Sequence, residues 1–227
     1  MEFTEELGEW FEIVSHPRPD ENVDAMMSLD FSDVFRHGIL VSDLAAAVSE
    51  ELGESEEFIS EIALAGLLHD IGKLKLGKYL YGRKKDVLNV EEMKYMRMHP
   101  LFSYNILKKQ GEFSNEVLEA VYNHHENFDG SGYPNNKKGE DIPWMARIIR
   151  TCDVFSALVS NRTYRAAFDI GTAMELMIDE VKNFDMRVFL AFQRVVNGDS
   201  FENLRMKILQ MNDVHNVAAA AFDLNRG

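Results

Sequence analysis

Five histidines and two carboxylates of this 227-residue chain fall where helices end or turn inward, and together they have the makings of a metal site. They are His37, His69-Asp70, His99, His124-His125 and Asp153. Neutral imidazole and ionised carboxylate are the donors that iron, manganese and zinc share. His69-Asp70 closes the apolar run Ile62-Ala63-Leu64-Ala65-Gly66-Leu67-Leu68. A buried imidazole beside a buried carboxylate needs compensation, which a cation supplies, although such a pair alone can equally cap a helix end. His124 and His125 are neighbours, and adjacent helical side chains diverge by about 100°, which suits two ions better than one. Asp153 lies in a strongly apolar stretch where an unpaired carboxylate is costly. Asp33 precedes His37 by one helical turn and shares its face, so the two could reach one ion or form an exposed i,i+4 ion pair. Ions held this way acidify bound water and polarise phosphate oxygens, the requirements for phosphoester hydrolysis.

Two further stretches carry chemistry. Asn127-Phe128-Asp129-Gly130-Ser131-Gly132-Tyr133-Pro134-Asn135-Asn136 is a Gly- and Asn-rich loop. Its glycines allow close approach of backbone to a ligand, and Tyr133 offers a ring for stacking on a base. Arg162 and Arg165, in Arg162-Thr163-Tyr164-Arg165, present guanidinium groups suited to phosphate.

The elements that must position these residues read as helices throughout. Apolar residues recur at helical spacing from Phe31 to Leu52, through Phe58–Leu68, over 114–125, and along Met145–Leu158. Residues 1–30 read as one or two amphipathic helices broken at His16-Pro17-Arg18-Pro19, packing on the main body or on a second copy. A loop is predicted around Lys73, Lys75 and Lys78. Pro100 is expected to open a helix, and Thr172 to Glu175 has the spacing of a capping box. Three or four helices are expected after residue 170. No alternating strand pattern occurs, so the fold class is all-α, a helical bundle with extra C-terminal helices. The expected division is 1–30, 31–190 and 191–227.

A formal charge of −14 argues against non-specific binding to nucleic acid or anionic membrane. It also requires local cations at any phosphate site. One cysteine, Cys152, excludes an intramolecular disulfide and a thiolate-rich zinc site. No run reaches the roughly 18 apolar residues of a membrane span, and the acidic N-terminus lacks signal-peptide character. A cytoplasmic protein is expected.

The order His37, His69-Asp70-Ile71-Gly72-Lys73, His99-Pro100, His124-His125-Glu126, Asp129-Gly130-Ser131-Gly132-Tyr133-Pro134, Asp153-Val154-Phe155 and Arg162-Thr163-Tyr164-Arg165 resembles the HD-GYP subgroup of the HD phosphohydrolases. The likeness spans roughly residues 33–190. It implies a helical HD domain with a bi- or trinuclear site, iron or manganese by preference and zinc as the other candidate. Its implied reaction is hydrolysis of cyclic di-GMP to linear pGpG or to GMP. Position by position, His37, His69, Asp70, His99, His124, His125 and Asp153 match the family's ligands. Asp33 stands where trinuclear members carry Glu, so two firm ions and a weaker third are expected. Lys73, with Asp70, matches the catalytic position near the phosphate, and Gly132, Tyr133, Arg162 and Arg165 match dinucleotide-holding positions. The chain departs from the family pattern at Ser103, Asn127 and Ser156 and in the loop after Lys73. The rival readings are an HD-type hydrolase of another nucleotide or cyclic dinucleotide, and a non-catalytic nucleotide-sensing module. A homodimer or a signalling-protein partner is the expected association, with no nucleic-acid polymer and no membrane.

Overall fold

A computed structural model describes residues 21–80, 90–161 and 165–224, with side chains from 34 to 76, 93 to 161 and 165 to 213; among them are helices and loops and no strand. In chain order the helices are α1 (Glu21–Leu52), α2 (Glu56–Leu68), α3 (Lys73–Leu80), α4 (Val90–Met96), α5 (His99–Gln110), α6 (Asn115–Asn123), α7 (Trp144–Val159), α8 (Ile170–Asp179), α9 (Met186–Asn197) and α10 (Glu202–Leu224). The expected all-α class and the extra C-terminal helices are both present.

Short polar side chains set several helix starts. Ser55 Oγ accepts the Phe58 N–H at the head of α2, and Ser114 Oγ accepts that of Val117 at the head of α6. Pro100 occupies the first turn of α5, where its missing N–H costs nothing. The start of α8 differs from expectation: Asp169, not Thr172, is the cap, accepting the Thr172 N–H at 3.0 Å and its hydroxyl at 2.6 Å. The helix therefore begins one turn earlier than the capping-box spacing implies.

Two other expectations are corrected. Residues 21–30 continue into α1 without a break, because no glycine or proline interrupts the chain between Glu21 and His37. The loop predicted around Lys73, Lys75 and Lys78 is helix α3; Lys and Leu are good helix formers, and Leu76 is buried against the body.

Helix α7 runs through the core and buries Met145, Ile148, Ile149, Cys152, Phe155 and Val159. Phe155 meets Phe192 of α9 edge to face at 5.1 Å between ring centroids, and Phe201 at 6.3 Å. Each fully buried ring of this kind contributes about 1.5–3 kcal/mol through lost apolar exposure. Helix α1 packs against α2, α7, α9 and α10. Its approach to α2 depends on Gly38, since a Cβ there would lie 2.4 Å from the Leu67 carbonyl oxygen. That crossing sets His37 beside His69, with ring centroids 5.3 Å apart. No helix among the described residues is long and apolar enough to cross a membrane.

Candidate metal centre

Three histidines at helix ends are oriented by their own backbone. His69 Nδ1 lies 2.7 Å from the Gly66 carbonyl, His99 Nδ1 2.7 Å from that of Met96, and His124 Nδ1 2.6 Å from that of Val121. A carbonyl oxygen only accepts, so each Nδ1 carries the hydrogen, and a neutral ring then presents a bare lone pair at Nε2. These lone pairs converge. His99 Nε2 stands 3.1 Å from His124 Nε2 and 3.1 Å from His125 Nε2. The facing lone pairs of His99 and His124 repel at that distance unless a proton or a cation lies between them.

Asp70 joins two sets of donors. Its Oδ1 is 3.1 Å from His99 Nε2 and 3.9 Å from His124 Nε2, while Oδ2 is 3.4 Å from His69 Nε2 and 3.8 Å from His37 Nε2. Asp153 Oδ1 lies 2.8 Å from His37 Nε2 and 3.7 Å from His69 Nε2, and its Oδ2 is 3.8 Å from His125 Nδ1. Two groups result, Asp70 with His99, His124 and His125, and Asp70 with His37 and His69, the candidate ligand atoms of each lying within 4.8 Å of one another. The buried His69 Nε2 and Asp70 Oδ1 have near neighbours but no aligned hydrogen bond. Convergent lone pairs, two carboxylates and buried donors without aligned partners fit divalent cations and poorly fit an ordinary hydrogen-bonded core.

The electrostatics agree. Burial alone would depress His69, but the charge of Asp70 and the contacts with Asp153 and Asp70 raise its pKa to about 10. Burial, then neighbouring imidazoles, hold His124 and His125 well below the ordinary histidine value. Burial pushes Asp70 and Asp153 up, yet Lys73 and His69 for the first, and His37 and His69 for the second, keep both ionised. Without a cation the site takes a proton on His69 in its place.

The other expected site residues divide. Lys73 Nζ bonds Asp70 Oδ2, so it backs the shared carboxylate directly. Tyr133 stacks on His125, with centroids 4.7 Å apart and planes 25° from parallel, and the Arg97 guanidinium lies 5.2 Å from the Tyr133 centroid. Burial raises the Tyr133 phenol well above its ordinary pKa. A Cβ on Gly132 would lie 2.2 Å from Asn127 N and 2.5 Å from Glu126 Cα and from the His125 carbonyl oxygen. Glycine there lets the loop rest on the backbone that carries His125. Arg165 turns to backbone: Nη1 donates to the Leu158 and Ala166 carbonyls and Nη2 to that of Ala157, with the guanidinium over the Phe168 ring. It closes the C-terminal end of α7. Arg162 and the side chain of Asp33 lie outside the described residues.

Three residues support the centre in roles that the sequence alone did not assign. Buried Glu126 accepts the Asn135 and Lys137 N–H groups at 2.7 and 3.1 Å, tying the loop to the end of α6. Ser103 Oγ accepts the Gly72 N–H at 2.8 Å, linking the His69-Asp70 turn to α5. Arg150 sits one helical turn before Asp153, a spacing visible in the sequence, with Nη1 4.0 Å from Asp153 Oδ2.

The family profile described as HD domain matches residues 21–188. The cyclic di-GMP phosphodiesterase response regulator RpfG of Xanthomonas campestris is 38% identical over 156 residues, covering 68% of this chain and 41% of that protein. The 3'3'-cGAMP-specific phosphodiesterase 1 of Vibrio cholerae is 36% identical over 158 residues, covering 68% of this chain and 36% of that one. The chain thus spans about two fifths of the length of these curated relatives. Among solved structures, Bd1817, a HDG"Y"P protein from Bdellovibrio bacteriovorus, superposes with a TM-score of 0.59 at 21% identity, over 73% of this chain and 53% of that chain, a likeness of fold. The profile takes in every helix that brings a histidine or carboxylate to the cluster, and the chain belongs to the HD domain family, in the HD-GYP group that its motifs resemble.

Proposed function

We propose that this chain is a metal-dependent phosphodiesterase that hydrolyses cyclic di-GMP to the linear dinucleotide pGpG, to GMP, or to both. The observation that carries the reading is Asp70, which gives one oxygen to each of two donor groups. A single carboxylate serving two groups is the arrangement for a pair of adjacent ions. His37, His69, Asp70 and Asp153 would hold one, and Asp70, His99, His124 and His125 the other. The histidine and carboxylate donors favour iron or manganese, with zinc the other candidate. A third, weaker position is proposed at Asp33 and His37. Such ions supply Lewis acidity toward phosphate oxygens and a lowered pKa for bound water.

The protein's own residues do the rest. The carbonyls of Gly66, Met96 and Val121 fix three imidazoles in one tautomer and one direction. Lys73 neutralises the shared carboxylate and is proposed to offset the negative charge that grows on the phosphate during phosphoryl transfer. Tyr133, held by Gly132 against the His125 backbone, keeps that ring in place and borders the space for the dinucleotide. Arg162 is a proposed dinucleotide contact. A cytoplasmic setting is proposed, with a homodimer or a signalling-protein partner. A second reading is 3'3'-cGAMP as substrate, favoured by the named specificity of one relative.

Metal analysis together with turnover of cyclic di-GMP, 3'3'-cGAMP and cyclic di-AMP tests these readings. Hydrolysis of the first supports the proposal, and preference for the second selects the alternative. A fully metal-loaded protein that turns over none of them refutes both.

A further inference from the structure

Arg150 is a partly buried guanidinium at the edge of the metal centre that the reaction as described does not use. It projects from α7 one turn before Asp153, and 19% of its side chain is exposed. Its Nε donates to Asn127 Oδ1 at 2.9 Å, and its Nη1 stands 4.0 Å from Asp153 Oδ2, too far for a hydrogen bond. Neither Nη group makes a hydrogen bond to any described residue. Asn127 is held in turn, since its Nδ2 donates to Ser131 Oγ at 2.9 Å. The guanidinium is thus clamped at one end, with its double-donor edge left over beside Asp153. Asn127 and Ser131 belong to the loop that follows His125, so this clamp holds the guanidinium at the loop side of the cluster.

An arginine whose Nε is fixed and whose Nη groups remain available is prepared to bind an oxyanion in a fork. A structural role would leave those donors on carbonyls, as in Arg165, whose Nη groups are engaged by three of them. Lys73 stands at Asp70 and Arg150 stands at Asp153, so the two cations flank the cluster at its two carboxylates. A cyclic dinucleotide carries two phosphodiesters, and only one can sit on the metals while reacting. We propose that Arg150 is a phosphate-binding residue on the Asp153 side of the centre, with Asn127 as the positioning residue that sets its fork. This inference rests on the phosphodiesterase reading above.

The test uses this chain loaded with metal and two probes: bis(p-nitrophenyl) phosphate, a generic phosphodiester, and a phosphorothioate analogue of cyclic di-GMP that resists hydrolysis. Arg150→Ala is expected to raise KM for the first and Kd for the second by about ten- to a hundredfold, the loss of a charge-assisted hydrogen bond, with metal content unchanged. Arg150→Lys should recover part of that loss, because it restores charge without the fork, and Asn127→Ala should weaken binding by about tenfold or less. Unchanged KM and Kd in Arg150→Ala would overturn the proposal. Loss of metal in parallel with affinity would overturn it too, by assigning Arg150 to the support of Asp153. Wild-type protein that hydrolyses the generic diester but does not bind the analogue refutes the dinucleotide reading alone, and the KM comparison still decides Arg150.

Discussion

Replacing Gly132 with alanine separates two explanations of the glycine in the Gly132-Tyr133-Pro134 turn. If it served only to let a ligand approach the backbone, a methyl group would obstruct substrate and leave the free protein intact. The structure points elsewhere. The new Cβ would lie 2.2 Å from Asn127 N and 2.5 Å from two further backbone atoms, whereas ordinary contact begins near 3.4 Å. None of these atoms belongs to a flexible side chain, so the loop and the His125–Asn127 backbone must separate by about 1 Å. Overpacking of this kind costs about 1–3 kcal/mol, or roughly 2–12 °C in Tm for a chain of this length. The same displacement carries Tyr133 off the His125 ring and moves an imidazole at the centre, and misplacement by about 1 Å costs on the order of a hundredfold in rate. Gly132→Ala should therefore lower Tm in the absence of substrate, reduce metal content, and lower kcat as well as kcat/KM. Calorimetry, elemental analysis and steady-state kinetics on the purified variant check each part. Wild-type Tm and metal content with a raised KM alone would refute the packing argument and return Gly132 to ligand approach.

Asp70→Asn should reduce bound metal more than His124→Ala does, because Asp70 belongs to both donor groups and His124 to one; equal metal content in the two variants, by elemental analysis, would remove the shared role. Arg165→Ala should lower Tm by about 2–4 °C, from about 1 kcal/mol of lost capping at the end of α7, with KM for a generic phosphodiester unchanged; a tenfold rise in KM at constant Tm would place it at the phosphate instead. Below a pH of about 10 the metal-free site holds a proton on His69 that an entering ion must displace, so apparent metal affinity should rise with pH and binding should release a proton; calorimetric titration in buffers of different ionisation enthalpy checks this, and affinity independent of pH between about 7 and 9 refutes it. The sign for folding is the reverse: the raised His69 pKa stabilises the metal-free fold fully below the ordinary value of 6.5, and this contribution is lost as pH rises through about 10. Denaturant titration of the metal-free protein reads that slope.

Part of the centre was legible in the sequence because three of its histidines lie at helix boundaries, which local chemistry marks. His69 and His124 each follow the last residue of a helix, and His99 opens one, so apolar periodicity and capping signals placed them before any fold was known. What periodicity cannot supply is the partner of a long side chain. Arg165 reads as a phosphate ligand from its charge, yet a guanidinium serves carbonyls as well, and only the end of α7 decides between them. Arg150 was hidden for the opposite reason, as a charged residue inside an apolar helix whose neighbours 127 and 153 meet only in three dimensions. The helical state of residues 73–80 was obscured by three lysines that suggested an exposed loop, although Leu76 faces the core.

The carbonyl contacts of His69, His99 and His124 bear on how the centre meets its ions. Ordering a free side chain at a binding site costs about 0.5–1.5 kcal/mol each, and here folding has met that cost for three imidazoles before any ion arrives. The ligand geometry is accordingly a property of the helix termini and changes only when the helices move. An ion whose preferred bond lengths differ from that spacing cannot recruit a rotamer to suit itself and has to displace a helix end. Discrimination among divalent metals then falls to the packing of α2, α5 and α6, and substitutions at their contacts, remote from any ligand, should alter which metal the protein retains.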